Sequence, residues 1–227
     1  MMPTCWGGID MADDATLRER LRHVYWIGGG SGAGKSTVAA AMADRYGLRL
    51  YETDEAMPDH ARRTSAEEAP YLHEFMSMTM DERWLDRSPE VMFETFHWFR
   101  GEGFHLIVED LLAMPREQGI VVEGFRLLPS LVAPLLADRS RAVWLLPSPE
   151  FRAYAVVKRA KATNRPGFLD QTSDPERAAR NLAVRERHFV ERLSKETREL
   201  GLRALTVDAA VDEDASIRCV SEHFGLS

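Results

Sequence analysis

Two cysteines are all that 227 residues provide, and Cys5 and Cys219 lie near opposite ends of the chain. That count and spacing exclude a disulfide framework and a cysteine-built metal site, and a reducing cytoplasm is the expected compartment. Long apolar runs are also missing. None approaches the roughly 18 residues of a membrane-crossing helix, so no membrane partner is expected. The N-terminal residues lack a basic stretch followed by an apolar one, so no secretory signal is expected. Residues 1–14 read as a loose tail, with Met11 as a second candidate start. A surplus of positive charge is absent too: 29 Lys and Arg face 36 Asp and Glu, for a formal net charge of −7. Such a chain has no global attraction for a phosphate backbone, which argues against nucleic acid as its main partner while leaving room for local basic clusters. There is no internal repeat and no low-complexity segment.

What is present is concentrated early. Gly29 to Ser36 read Gly-Gly-Ser-Gly-Ala-Gly-Lys-Ser, a complete fit to the G-x-x-x-x-G-K-[ST] pattern. Glycines let such a loop bend tightly and turn its N–H groups toward a β-phosphate. Lys35 can reach the β- and γ-phosphates, and the Ser36 hydroxyl can ligate Mg²⁺. The flanking sequence supplies the required context. His23 to Ile27 is an apolar, aromatic and β-branched run that predicts a strand, and Ser36 to Ala43 predicts a helix whose positive end faces the phosphates. The nucleotide-binding set is therefore Gly29, Gly30, Ser31, Gly32, Ala33, Gly34, Lys35, Ser36 and Thr37.

Thr16 to Arg22 predicts a short helix, and the helix after the glycine loop runs to about Tyr46, where Gly47 stops it. Leu48 to Thr53 alternates as a strand ending at Asp54. Residues 55–103 contain no convincing strand and read as several helices broken at Pro58, Pro70 and Pro89. Phe104, Ile107, Val108, Leu111 and Leu112 have helical spacing; Gly119 to Val122 is a short strand opening onto Glu123. Helix is predicted for Leu127 to Asp138, strand for Arg141 to Leu146 and helix for Pro149 to Ala162. A polar turn covers Thr163 to Asp174, a long helix Pro175 to Leu200, a strand Leu202 to Val207 and a last helix Asp212 to Phe224. Alternation of this kind implies one α/β domain with a mainly parallel five-stranded sheet between two helical layers, and ligands in such sheets bind where the strands end.

Glu123 emerges at such an end, beside the glycine loop, where a carboxylate can hold a water of the Mg²⁺ shell. Leu106 to Asp110 also sets acids after apolar residues, but its helical spacing puts those acids on a wet face. Asp54 ends the second strand and has two readings, a general base for an acceptor hydroxyl or a turn residue capping a helix. His60, Arg62 and Arg63 can recognise an acidic acceptor or form a solvated helix face. Arg152, Lys158, Arg159, Lys161 and Arg165 make a basic segment, with Arg152 and Arg159 seven apart on one helical face. Arg177, Arg180, Arg187 and Arg192 can form i,i+4 pairs on the long helix. Phe93, Phe96, Trp98, Phe99 and Phe104, with His97 and His105 among them, read as core rather than a base-stacking pocket, and the two histidines have no third ligand at sensible spacing.

Val121-Val-Glu-Gly-Phe-Arg126 resembles the segment of adenylate-kinase-like small-molecule kinases in which a strand ends in an acid followed by Gly-Phe and an acceptor-contacting arginine. That family's usual segment has Asp as the acid and Pro before the arginine. The resemblance implies a three-layer α/β/α P-loop NTPase fold, with residues 55–103 as a helical acceptor insertion and 149–174 as a short lid. It implies ATP and Mg²⁺ as cofactors and a small-molecule phosphate acceptor as the partner of a monomer or homodimer. Lys35, Asp54, Arg126, Arg152 and Arg159 become catalytic candidates, Arg165 and Arg185 candidates for the bound nucleotide, and Ser36 and Glu123 the metal ligands. A different reading is a P-loop ATPase or nucleotide-regulated binding protein without an acceptor. Neither an Asn-Lys-x-Asp guanine-reading string nor a Leu-Ser-Gly-Gly-Gln transporter signature occurs.

Overall fold

The computed structural model describes residues 14–163, 167–208 and 213–226. A short helix α1 (Asp14–Arg20) leads into β1 (Val24–Gly29), the glycine loop and α2 (Lys35–Tyr46). Then come β2 (Arg49–Glu52) and four helices, α3 (Thr53–Arg63), α4 (Pro70–Ser77), α5 (Met80–Trp84) and α6 (Pro89–Thr95). A 3₁₀ turn (His97–Arg100) precedes α7 (Phe104–Ala113) and β3 (Ile120–Glu123), and α8 (Pro129–Val132) connects to β4 (Ala142–Pro147). The chain ends with α9 (Pro149–Thr163), α10 (Pro175–Glu199), β5 (Arg203–Val207) and α11 (Glu213–His223).

All five strands are parallel, in the order β2-β3-β1-β4-β5. The three central strands are continuous buried runs, whereas β2 and β5, at the edges, keep exposed positions. That is the expected signature of a parallel sheet covered on both faces. Successive side chains alternate between two cores. Val24, Trp26, Ile120, Val122 and Trp144 enter one core with Phe104, Ile107 and Leu111 of α7 and Phe189 and Leu193 of α10. Ile27, Val121, Val143 and Leu145 enter the other with Val38 and Met42 of α2 and Val220 of α11. No described helix is long and apolar enough to cross a membrane.

Two expectations about helix breaks fail, both at prolines. The helix expected over Leu127 to Asp138 is only α8, followed by a 3₁₀ turn at Ala133–Leu135 and extended backbone at Leu136. Pro134 has no N–H for the helical ladder, and its ring crowds the carbonyl four residues back. The break expected at Pro58 does not occur, because α3 continues through it to Arg63. Pro58 is early enough in α3 to forfeit a single donor, the one that would serve the Asp54 carbonyl. Pro70 and Pro89 stand in the first turns of α4 and α6, where the N–H is dispensable.

Trp144 fills the middle of the larger core with no exposed surface, and its indole Nε1–H donates to the Leu127 carbonyl at 2.7 Å. Trp144→Ala is expected to cost about 3–5 kcal/mol of unfolding free energy in urea titrations. Trp144→Phe should cost less, mainly the penalty of a buried carbonyl left without its donor, about 1–3 kcal/mol.

Candidate functional site

Pairing β1 with β3 brings the glycine loop beside Glu123. Ile27 is in register with Glu123, and Gly124 N–H donates to the Ile27 carbonyl at 3.1 Å. The chain leaves β1 toward the face covered by α2 and leaves β3 toward the opposite face. Such a divergence between neighbouring parallel strands opens a crevice at their carboxyl ends. The loop conformation depends on its glycines. Gly29 has φ 134°, and a side-chain carbon there would overlap the Leu145 carbonyl oxygen. Gly34, at φ 80°, is the N-cap of α2, whose first turn carries no acidic residue. The first N–H groups of α2 and the bent loop thus form a concave set of donors of the kind that holds an oxyanion.

Two side chains close the loop. Lys35, buried, donates from Nζ to the Gly30 carbonyl at 2.9 Å. Ser36 Oγ donates to Glu123 Oε1 at 2.9 Å. Burial raises the pKa of Glu123, which is 2% exposed; Lys35 and the Ser36 hydroxyl oppose that rise, while Asp54 and Glu52 add to it. The site therefore combines an anion-holding loop with an excess of carboxylate oxygen near Ser36. Asp54 lies in the first turn of α3, exposed, rather than at a strand end. Thr37 is exposed on α2. Among the described residues, no group of three or more His, Cys, Asp or Glu is arranged to hold a metal ion by itself.

Gly124, at φ 152°, lets the backbone after Glu123 approach α3, since a side-chain carbon there would overlap Thr53 Oγ1. Arg126 follows, 2% exposed, with its guanidinium stacked 4.0 Å from the Trp98 ring. Its Nη1 donates to the Thr53 carbonyl and to His60 Nδ1, and its Nη2 donates to the Gly103 carbonyl. Burial lowers its pKa to about 10, against the pull of Tyr51, Asp54 and Asp110. Because Arg126 donates to Nδ1, His60 is neutral with its proton on Nε2, which donates to Asp110 Oδ2 at 2.8 Å. Tyr51 Oη and Arg63 Nη1 also donate to Asp110. His60 is thus fully buried rather than on a solvated face. Asp110 is half-buried and ties α7 to β2 and α3, a role beyond the wet-face acid that its spacing suggests.

Arg152 of α9 lies against the loop, since a side-chain carbon at Gly32 would come 3.7 Å from its Cγ. Burial lowers its pKa, opposed by Glu186 and reinforced by Arg185. Arg185 of α10, 6% exposed, pairs with Glu186 and lies 4.4 Å from the Phe96 ring. Arg165 is outside the described residues, as is the side chain of Arg159. Arg192 forms the expected i,i+4 pair with Glu196 at 2.6 Å. The aromatic run is core, as its composition suggests: Phe96, Trp98, Phe99 and Phe104 are buried, and Phe99 stacks on Phe189 at 3.8 Å.

One feature of the site escapes the sequence. A cavity of about 380 Å³ adjoins the loop, lined by Ala33, Gly34 and Thr37, by Phe151, Tyr154 and Lys158 of α9, and by Val207, Glu213 and Ser216. Tyr154 is 61% exposed, unusual for an aromatic ring in a helix. The pair of aromatics three apart after β4 was its only signal in the sequence.

No protein-family model matches the chain, and no curated protein matches it. Among solved structures, the chain is similar to an uncharacterized protein from Eubacterium ventriosum ATCC 27560, at 14% identity and a TM-score of 0.46, over 90% of this chain and 99% of that one. A likeness at that level carries no functional argument.

Burial and the guanidinium groups of Arg126, Arg185, Arg83 and Arg87 push the His97 imidazole down to about 3 from its ordinary 6.5. A histidine held neutral in the fold but free to protonate when unfolded supports stability above its unfolded pKa and withdraws it as pH falls toward the folded one. Between pH 6.5 and about 3, wild type should therefore lose stability more steeply than His97→Phe in urea titrations. Equal slopes would contradict that assignment.

Proposed function

We propose that the chain is an ATP- and Mg²⁺-dependent phosphotransferase that moves the γ-phosphate to a small-molecule acceptor, in an adenylate-kinase-like P-loop fold. The observation that carries this reading is the joint closure of the Gly29–Ser36 loop, with Lys35 folded onto Gly30 and Ser36 hydrogen-bonded to the buried Glu123. Loop and α2 N–H groups would hold the β-phosphate, and Lys35 would swing from Gly30 to the β- and γ-oxygens. The hard-oxygen donor set fits Mg²⁺: Ser36 Oγ would bind it directly and Glu123 through a water, with phosphate oxygens completing the shell. Bound there, Mg²⁺ supplies neutralisation of charge on the phosphate oxygens. Because the nucleotide brings most of its ligands, the site needs no cluster of three protein carboxylates.

The cavity beside the loop suits the base, with Tyr154 and Phe151 available for stacking. Arg152, against Gly32, is positioned to neutralise charge spreading over the transferring group. Asp54 is exposed at the start of α3, near enough to Glu123 to raise its pKa, so it can approach an acceptor hydroxyl as general base. Arg126 Nη1 and Nη2 donate within the protein, which supports a positioning role under Thr53 and Asp54 for those two nitrogens, while its Nε has no partner among the described residues.

Lys35→Ala is expected to lower kcat by about 10²–10³, the usual effect of losing one electrostatic contact to the reacting group. ADP release across an acceptor library, with Lys35→Ala as control, measures it. Release that depends on one added acceptor supports a phosphotransferase, whereas equal release without acceptor would favour an ATPase. Tyr154→Ala should raise the ATP dissociation constant by about tenfold in calorimetry, as lost base stacking is worth about 1–3 kcal/mol.

A further inference from the structure

The long helix α10 buries a stripe formed by Ala178, Leu182, Arg185, Phe189 and Leu193, so Arg185 occupies an inward position that helical spacing reserves for an apolar side chain. Its guanidinium lies 4.4, 5.1 and 5.2 Å from the rings of Phe96, Phe99 and Trp84. Among the described residues, its Nε and Nη1 have no hydrogen-bond partner, and only Nη2 is satisfied, by Glu186. Three more arginines adjoin the same aromatic cluster. Arg126 stacks on Trp98 and Arg83 on Phe75, whose rings lie 4.4 and 4.9 Å from the His97 ring. Arg87 reaches Thr95 Oγ1 and the carbonyls of Glu82 and Arg83.

The acceptors these groups find are mostly neutral. Arg83 donates to the Phe75 and Met76 carbonyls, and Arg126 to two carbonyls and an imidazole. Structural arginines that cap helix carbonyls account for Arg83 and Arg87 in this way. They do not account for Arg185, which is buried with two unused donors, nor for Arg126 Nε and His97 Nδ1, also buried and unsatisfied among the described residues. A guanidinium withdrawn from water is costly unless it is paired, and among the described residues Glu186 is the one carboxylate in direct contact with any of the four. The excess positive charge here, in a chain of net charge −7, calls for an anion from outside.

We infer that this arginine-and-aromatic cluster binds the oxyanion of the small-molecule acceptor, a carboxylate or a phosphate, with Arg185 as its central cation. The inference rests on the phosphotransferase reading for the word acceptor, but the anion site itself stands on the cluster. Nε and Nη1 each leave an N–H free, and either can make a charge-assisted bond to a carboxylate or phosphate oxygen. Arg152 joins the cluster to the nucleotide side: it lies against Gly32 and is influenced electrostatically by both Arg185 and Glu186. An acceptor anchored at Arg185 by its charge would leave its neutral end to receive the phosphoryl group. Neutral sugars and nucleosides would leave these donors unsatisfied and are selected against.

The test uses full-length protein loaded with Mg²⁺ and ADP, so that the glycine loop is occupied. Acetate and methyl phosphate are titrated at constant ionic strength, with acetamide as the neutral control, and intrinsic tryptophan fluorescence is read because Trp84 and Trp98 face Arg185 and Arg126. A saturable response to acetate, to methyl phosphate or to both, and none to acetamide, is expected, and the stronger arm identifies the oxyanion. Arg185→Gln should weaken that response by about tenfold or more, the loss of a charge-assisted contact. Its ADP affinity by calorimetry should stay within about threefold of wild type, since base and phosphate contacts are elsewhere. If Arg185→Gln lacks the wild-type circular dichroism spectrum, Arg185→Lys, which keeps the charge and loses the fork, serves in its place with a smaller weakening. No anion response, an equal response to acetamide, or equal responses from wild type and variant would overturn the inference. ADP that fails to bind while the anions still do would instead overturn the phosphotransferase reading and leave the anion site standing.

Discussion

The central position of β1, hydrogen-bonded to β3 on one side and β4 on the other, is the constraint from which the rest of the structure follows. Gly28 and Gly29 lie so close to Trp144 and Leu145 of β4 that no side chain fits there, and the Ile27 carbonyl takes the Gly124 N–H on the β3 side. A parallel sheet can hold such close neighbours only if its helices lie on the faces and its loops gather at one end. That end is where Lys35, Ser36 and Glu123 meet. A glycine-rich loop elsewhere on the molecule would have the same sequence and no carboxylate to close it.

From Glu123 the chain makes a second connection, of a different kind. Gly124 allows contact with Thr53, and Arg126 carries that contact through His60 to Asp110, where Tyr51 and Arg63 also converge. Sheet edge, the start of α3 and the middle of α7 are thereby joined by buried polar groups. Each hydrogen bond here contributes modestly when made and costs more when broken, because the freed partner stays out of water. The start of α3, which carries Asp54, is consequently held in a fixed relation to Glu123.

Much of the framework was legible in the sequence because it is governed by local periodicity. The buried runs of β1, β3 and β4 and the i, i+3, i+4 spacing of α7 need only their own residues to be recognised, and the glycine loop is a contiguous pattern. What escaped the sequence depends on partners far along the chain. His60 looked like one member of a basic helix face; its burial is decided by Asp110 and Arg126, 50 and 66 residues away. The cavity beside the loop needs α9 and α11 brought together across β5, which no short pattern reports. At Pro134 a local signal decides the structure, its missing N–H counting for more than the apolar spacing around it.

Arg185 illustrates how both kinds of information combine. The α10 stripe is readable from sequence, and Arg185, with Glu186 beside it, puts charge on the buried face. Only the fold reveals that this buried charge is partly compensated, with three rings, one carboxylate and two unused donors around a single guanidinium. A helix that needed only packing there would gain by placing leucine at this position, because a paired buried charge seldom outperforms an apolar side chain of similar volume. Retaining a cation therefore costs the fold stability, and the cost makes physical sense where a bound anion offsets it. The same reasoning applies to Glu123, a buried carboxylate whose natural complement is a cation. On the proposed reading, these two buried charges of opposite sign would each be answered from outside the chain, Glu123 by a metal-bound nucleotide and Arg185 by an anionic partner.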